Sequence, residues 1–223
     1  MMKKLMWAVM ALYFLSTAAV LAAAAPDRDD LSVEFQNDTV IIRNVSPGAR
    51  VAVLSVAREM SQGQPPVPRL VRRTEVITDD DRDGVVRLEL GKLIPRMAMW
   101  AFVDMNTGAS IALPTPGYEP PRLNLSDELV KHDNAGQLKK LDLVYAEVEI
   151  LLVRPGTGAW RLNAAKYSQL DESKHSEDPI RLDVESMLPV GDSPNAPHSV
   201  KPGDVIAIVD LRWMQYGIME VGK

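Results

Sequence analysis

The alternation of apolar and polar side chains predicts short β-strands along most of the first half of the chain. Residues 31–35 alternate, so that the odd-numbered side chains share one strand face. Residues 51–57 are almost continuously apolar, which is typical of a strand buried on both faces. In residues 86–90 the apolar positions alternate with Arg87 and Glu89. With turn signals between these segments, the pattern predicts an all-β fold of the sandwich type.

One hydrophobic pattern occurs twice. Residues 86–90 have the sequence Val-Arg-Leu-Glu-Leu, and residues 180–184 have the sequence Ile-Arg-Leu-Asp-Val. In both places an apolar pair and a proline follow at the same offset, and each copy then leads to an apolar run that ends in aspartate, at 101–104 and at 207–210. We therefore predict an internal duplication of one small β-rich domain.

The predicted organisation places two tandem β-sandwich domains behind an N-terminal hydrophobic helix. Four prolines between positions 114 and 121 indicate a stiff extended linker, and Ser126 is a suitable N-cap for a short helix after it. The predicted parts are an N-terminal signal peptide or anchor at 1–25, domain 1 at 31–116, the linker and short helix at 117–141, and domain 2 at 142–223.

The strand, the corner of the Leu-x-Pro type and the next strand of each copy resemble the E–F corner of immunoglobulin and fibronectin type III domains. The corners are Leu93-Ile94-Pro95 and Met187-Leu188-Pro189. The tyrosine that this family places at the corner is absent, and Trp100 and Ile206 lie near its position. The resemblance implies Ig-like sandwich architecture and carries no assignment of activity.

The composition of the chain excludes several classes of function. Of the 223 residues, 25% are charged and 46% are hydrophobic, as in ordinary globular proteins. The formal net charge of -5 argues against binding to nucleic acid, because phosphate contacts require clustered lysine and arginine. The chain has no cysteine, which excludes disulfides, thiolate metal sites, a cysteine nucleophile and a lipid-modified N-terminal cysteine.

The N-terminal segment predicts export across the cytoplasmic membrane. Lys3 and Lys4 precede an uncharged run from Leu5 to Ala25. Small residues near Ala24 suit cleavage by signal peptidase, but the run exceeds the roughly 7–15 residues of a usual signal core. At about 1.5 Å per helical residue it can span a hydrocarbon layer of about 30 Å. Both alternatives, cleavage near Ala24 and a retained anchor at 5–25, place the rest on the periplasmic face.

The motif Asp-x-Asp-x-Asp-Gly suggests a calcium site. Asp79, Asp81 and Asp83 are spaced so that their carboxylates can converge on one hard cation, and Gly84 permits a sharp turn. The position at which an EF-hand needs a bidentate glutamate is occupied by Leu90. The alternative interpretation is a hairpin turn whose acidic side chains are solvated.

Trp213, Met214 and Tyr216 suggest a surface for a partner. On a strand, Trp213 would point away from Met214 and Tyr216, so one of the two sets would lie outside the core. Exposed aromatic side chains are common in protein interfaces. The alternative is that both sets are covered within the domain, for example by the proline-containing segment 191–203.

The sequence carries no set of residues that specifies a reaction. It lacks a Gly-x-Ser-x-Gly setting and a phosphate-binding loop, and its three histidines are widely separated. We therefore predict a non-enzymatic exported envelope protein that acts as an accessory or scaffold subunit and binds other proteins of a membrane-associated complex. The alternative is a secreted adhesion or glycan-binding module with a calcium-stabilised first domain.

Overall fold

The computed structural model is all-β, with a single 3₁₀ helix at Val184–Ser186 among the residues that it describes. The predicted N-terminal helix and the start of the predicted short helix at Ser126 lie outside those residues, while Lys131–His132, farther along the predicted linker, form a strand where the short helix was expected. Within the described part, no helix combines the length and the apolarity that a membrane span requires. The described residues are 31–60, 68–123, 125, 131–132, 138–140, 148–162, 184–211 and 214–222.

Fourteen strands follow one another along the described chain. They are β1 (Ser32–Gln36), β2 (Thr39–Arg43), β3 (Arg50–Met60), β4 (Pro68–Thr78), β5 (Val85–Glu89), β6 (Ala98–Asp104), β7 (Ser110–Pro114), β8 (Lys131–His132), β9 (Leu138–Lys140), β10 (Val148–Arg154), β11 (Gly158–Arg161), β12 (Leu188–Pro189), β13 (Val205–Asp210) and β14 (Gln215–Glu220).

Three sheets contain most of these strands, and every strand pair in them is antiparallel. The first sheet has the order β1-β2-β5, the central sheet β4-β3-β6-β7, and the third sheet β12-β11-β10-β13-β14. Strands β8 and β9 form a separate two-stranded sheet. The prediction of an all-β, sandwich-type fold is therefore confirmed.

The central sheet is buried on both faces. In β3, Val51 and Val53 pack with residues of the first sheet, whereas Leu54 and Val56 pack with residues of the third sheet. The two sets alternate because successive side chains of a strand point to opposite faces. This arrangement explains why residues 51–57 are apolar at nearly every position, as the sequence predicted.

The third sheet uses one face against the central sheet and covers the other with its own connections. Ile150 and Leu152 of β10 point away from the central sheet, into a cluster with Val184 and Val200. Residues 121–123 also lie along this sheet, where the amide of Leu123 donates to the carbonyl oxygen of Tyr216 at 2.8 Å. A Cβ added at Gly217 of β14 would lie 2.9 Å from the carbonyl oxygen of Leu123 and 2.9 Å from the side chain of Leu125, so only glycine fits there without displacing its neighbours.

The central and third sheets repeat one strand order. In the central sheet the hairpins β3-β4 and β6-β7 give the order β4-β3-β6-β7, and in the third sheet β10-β11 and β13-β14 give β11-β10-β13-β14. Asp104 ends β6 opposite Val51, near the start of β3, and Asp210 ends β13 opposite Val148, at the start of β10. The two apolar runs that end in aspartate therefore occupy equivalent positions in their sheets.

Other parts of the predicted correspondence differ from the structure. In the third sheet, the strand that occupies the place of β3 is β10. Val184, the last residue of the second copy of the repeated pattern, begins the 3₁₀ helix, while residues 180–183 lie outside the described part. Within the described part of the second half, β12 pairs with β11 and extends the third sheet.

The two halves of the chain share a hydrophobic core. Residues 31–223 form one compact unit, and a single cluster of buried side chains joins the central sheet to the third sheet. It includes Leu54 and Met99 from the first half, and Leu151 and Tyr216 from the second. This core therefore contains residues of both predicted domains, 31–116 and 142–223.

An ion pair links the same two sheets at the margin of the shared core. Glu149 of β10 is 7% exposed, and its Oε1 lies 2.8 Å from Nε of Arg72 in β4. Burial raises the pKa of Glu149, while the charges of Arg72 and Arg161 oppose that rise without cancelling it. The carboxylate therefore ionises less readily in the folded protein than in the unfolded chain.

Replacing Glu149 with glutamine should give a stability difference that grows with pH. Because the pKa of Glu149 is higher in the folded state, its contribution to stability is complete below the ordinary value of 4.5 and is lost as pH rises through the folded value. Relative to wild type, E149Q should become steadily more stable as pH rises, measured by urea unfolding at several pH values. Glu34→Gln should show the opposite trend, because hydrogen bonds from Gln36 and Arg43 lower the pKa of exposed Glu34. A pH-independent difference for E149Q would contradict the assignment.

Candidate functional site

The acidic loop, residues 79–84, crosses from one sheet to another. It follows β4, which pairs with β3 in the central sheet, and precedes β5, which pairs with β2 in the first sheet. The expectation of a hairpin turn here was wrong, because the strands on the two sides of the loop are not partners. The loop therefore lies at the margin of the core between the two sheets.

The conformation of the loop is set by its own side chains. Oδ1 of Asp81 accepts a hydrogen bond from the amide of Asp83 at 3.4 Å, and Oδ1 of Asp83 accepts one from the amide of Val85 at 2.8 Å. Such local bonds are the usual reason for aspartate in turns. Gly84 has a φ of 77°, which glycine adopts without steric cost, as the sequence predicted.

Asp79 ties the acidic loop to the segment 45–49, which connects β2 and β3. Its amide donates to the carbonyl oxygen of Ala49 at 2.9 Å. Its Oδ2 accepts hydrogen bonds from the amides of Gly48 at 2.9 Å and Gly84 at 3.2 Å. The residue is only 2% exposed, and its second oxygen, Oδ1, is buried without a hydrogen-bond partner.

The carboxylates predicted to bind calcium converge in the folded chain. One oxygen of each of Asp79, Asp81 and Asp83 lies within 4.8 Å of the others. Burial works to raise the pKa of Asp79, but the amides of Gly48 and Gly84 and the neighbouring loop groups outweigh it, so that its pKa lies below the usual value. The acidic loop therefore concentrates negative charge beside a buried anion at neutral pH.

The residues predicted to bind a partner lie largely in the core. Met214 is 6% exposed and Tyr216 is 4% exposed, and both pack between the central and third sheets. The Tyr216 hydroxyl accepts a hydrogen bond from Nε of Arg122 at 3.1 Å. These two side chains are therefore unavailable as an exposed surface, whereas Trp213 lies outside the described residues and its role stays a prediction. The prediction assumed that residues 213–216 lie on one regular strand whose side chains alternate between two faces. In the structure β14 begins only at Gln215, and Met214 has a positive φ of 51°.

An exposed hydrophobic surface lies elsewhere, beside the end of β3 and the start of β6. Leu93 is 75% exposed, Met60 is 58% exposed and Met97 is 41% exposed, and these are the exposed large hydrophobic residues of the described part. We call this surface the apolar end. Two contacts bring its parts together: the amide of Arg58 donates to the carbonyl oxygen of Met97 at 2.9 Å, and Nζ of Lys92 lies 2.7 Å from Oε1 of Glu59.

Basic residues adjoin the apolar end. Arg58, Lys92 and Arg96 are all exposed, and each is adjacent in sequence or in hydrogen bonding to one of the exposed hydrophobic residues. Sequence reasoning missed this surface because it treated residues 93–95 only as a corner between strands. The available signal was the pair of basic residues, Lys92 and Arg96, among apolar ones in a segment whose glycine and proline favour exposure.

Comparisons of the chain with protein-family models, with curated proteins and with solved structures gave no match. The candidate sites therefore rest on the residues and geometry of this chain. They are the acidic loop and the apolar end.

Proposed function

We propose that this chain is a non-enzymatic exported protein that binds another protein of the cell envelope through its apolar end. The observation that carries the proposal is the exposure of Met60, Leu93 and Met97, on segments that a hydrogen bond of Arg58 and an ion pair of Glu59 bring together. Groups of exposed large apolar side chains are a common feature of protein interaction sites. The N-terminal segment supplies the route to the envelope, either as a retained anchor at 5–25 or as a signal peptide removed near Ala24.

The charges around the apolar end define the chemistry of the partner. Lys92 pairs with Glu59, but Arg58 and Arg96 also flank the apolar side chains and are exposed, so the matching surface is apolar at its centre and acidic at its rim. Complementary rim charges speed association and disfavour other orientations. The partner that we propose is therefore an envelope protein with an acid-rimmed apolar face.

The buried carboxylates support a structural role for this fold. Asp104 accepts hydrogen bonds from the amides of Ser46, Asn106 and Thr107, which tie down the turn after β6. Asp204 pairs with Arg154 through both carboxylate oxygens. Groups held in this way stabilise loops, whereas a general acid or base must be free to exchange a proton with a substrate.

We also propose that the chain arose by duplication, from an ancestral sheet of two hairpins. The repeated strand order of the central and third sheets and the equivalent places of Asp104 and Asp210 support this history. In this proposal the two halves are immunoglobulin-like or fibronectin-like only in architecture. Their packing on each other gives one rigid support for the apolar end.

Inserting charge into the apolar end should remove the partner. The variants Leu93→Glu and Met97→Glu should each reduce copurification of one envelope protein from native membranes, in mild detergent, at least about tenfold, since the cost of burying an unpaired carboxylate exceeds about 1.4 kcal/mol. Asn195→Glu makes the same charge change at an exposed residue of another loop and should leave copurification unchanged.

Three outcomes would contradict the proposal. The first is equal copurification in all variants, and the second is binding to anionic lipid vesicles in place of a protein. The third is a captured protein that lacks an acid-rimmed apolar face, or that is a second copy of this chain. Migration as a free monomer in the soluble periplasmic fraction, with Ala25 at the N-terminus, would contradict the anchored form.

A second candidate function is a secreted adhesion or glycan-binding module with a calcium-stabilised first half. The convergence of Asp79, Asp81 and Asp83 is the specific observation in its favour. This function predicts free protein outside the cell and retention on a glycan surface that calcium strengthens. Retention that is unaffected by calcium would exclude it.

A further inference from the structure

We propose that Asp79, Asp81 and Asp83 bind one calcium ion, which fastens the acidic loop to the segment 45–49. This inference is independent of the partner at the apolar end. It begins with Oδ1 of Asp79, which is buried and has no hydrogen-bond partner in a residue that is 2% exposed. Buried carboxylate oxygens are almost always paired, so this atom lacks a partner that a cation would supply.

The neighbours of Asp79 complete a set of cation ligands. Carboxylate oxygens from Asp81 and Asp83 lie within 4.8 Å of the Asp79 ligand atom and of each other. Both of these residues are exposed, so water has access to the remaining coordination positions. Among the described residues, the ion pair found for this cluster joins Nη1 of Arg87 to Oδ2 of Asp83 at 3.7 Å.

The donor set favours calcium over other metals. All three donors are carboxylates, which are hard oxygen ligands, and the chain has no cysteine for a thiophilic metal. Calcium tolerates irregular geometry and takes six to eight oxygens, whereas magnesium requires a near-ideal octahedron. With three carboxylates and no bidentate glutamate of the EF-hand type, the affinity should resemble that of extracellular modules, at a Kd of about 0.1–1 mM.

The position of the site determines what the ion would do. Oδ2 of Asp79 already accepts hydrogen bonds from the amides of Gly48 and Gly84. An ion on Oδ1 would therefore restrain the segment 45–49 and the acidic loop together. These connections lead directly into β3 and β5, which lie in opposite sheets. Calcium would therefore stabilise the packing of the first sheet on the central sheet.

Calcium titration of the full-length protein in mild detergent tests the proposal. With calcium at about ten times Kd, the melting temperature should rise by about 3–6 °C, and calorimetry should give one site per chain. The double variant Asp81→Asn/Asp83→Asn changes only exposed side chains and should lose both responses. Asp80→Asn, an exposed carboxylate in the same loop outside the cluster, should keep both.

Three outcomes of this titration would contradict the calcium site. Absence of heat and of a melting shift up to about 10 mM calcium, far above the Kd range of such sites, would overturn the proposal. The same responses in the double variant would overturn it too, because binding would then lie elsewhere. An equal shift with magnesium would refute calcium as the ligand. Copurification of the partner by Asp81→Asn/Asp83→Asn is a separate measurement, so failure of this site leaves the function of the apolar end to its own test.

Discussion

Truncating Leu54 to alanine should lower the free energy of unfolding by about 2–5 kcal/mol and should weaken both halves of the chain together. Leu54 is completely buried in the cluster that joins the central and third sheets. Removing its side chain leaves a cavity that strands of either half cannot fill without leaving their sheets. Hydrogen exchange followed by mass spectrometry should show equal losses of protection in β6 and β13.

The control for this experiment is Leu93→Ala, at the apolar end. Because Leu93 is 75% exposed, its truncation should change the free energy of unfolding by less than about 0.5 kcal/mol. A Leu54→Ala variant in which β6 loses protection while β13 keeps it would contradict the shared core. The halves would then behave as separate folding units.

Replacing Arg154 with methionine should cost about 3–5 kcal/mol, because it leaves a buried charge without its partner. Nε and Nη2 of Arg154 each lie 2.8 Å from a carboxylate oxygen of Asp204, and Nη2 also donates to the carbonyl oxygen of Ser199 at 2.7 Å. Asp204 is 1% exposed, and without Arg154 the donor that the structure leaves to its carboxylate is the amide of Lys201 at 2.8 Å. The loss should be measured by urea unfolding at neutral pH.

Two comparisons separate this effect from a simple change of surface charge. Arg43→Met breaks an ion pair with Glu34 whose members are both nearly half exposed, so it should cost less than about 1 kcal/mol. Adding Asp204→Asn to Arg154→Met should restore part of the lost stability, since an uncharged amide is less costly to bury than a carboxylate. Equal losses for Arg154→Met and Arg43→Met would contradict the assignment of Arg154–Asp204 as a buried pair.

Strand faces were predictable from the sequence because alternation has a direct physical cause. Val86 and Leu88 are buried while Arg87 and Glu89 are exposed, as the pattern required. The burial of β3 on both faces was likewise visible in its apolar run. Each of these predictions depends only on neighbouring residues.

Sheet partners were less predictable, because they depend on contacts between distant residues. The acidic loop was interpreted as a hairpin turn, since its aspartates and glycine suit a turn in any context. The loop does not close a hairpin because β5 pairs with β2 and β4 pairs with β3, and these partner strands lie outside the loop in the sequence. The same limit explains why the packing of the two halves on one shared core was missed.

The candidate sites also differ in how far the sequence alone predicts them. The convergence of Asp79, Asp81 and Asp83 was predictable from their spacing, because all three belong to one short loop. The burial of Tyr216 was not, because it depends on the central sheet packing against β14. The apolar end was missed for the same reason, since the hydrogen bond from Arg58 to Met97 that joins its parts forms only where β3 pairs with β6.

The most direct test of the central claim is site-specific photo-crosslinking at Leu93 in intact cells, with Asn195 as the control position. The proposal predicts one discrete adduct with an envelope protein at Leu93, its loss when Met97→Glu is added, and no such adduct at Asn195. Absence of an adduct at Leu93, or the same adduct at Asn195, would contradict binding through the apolar end.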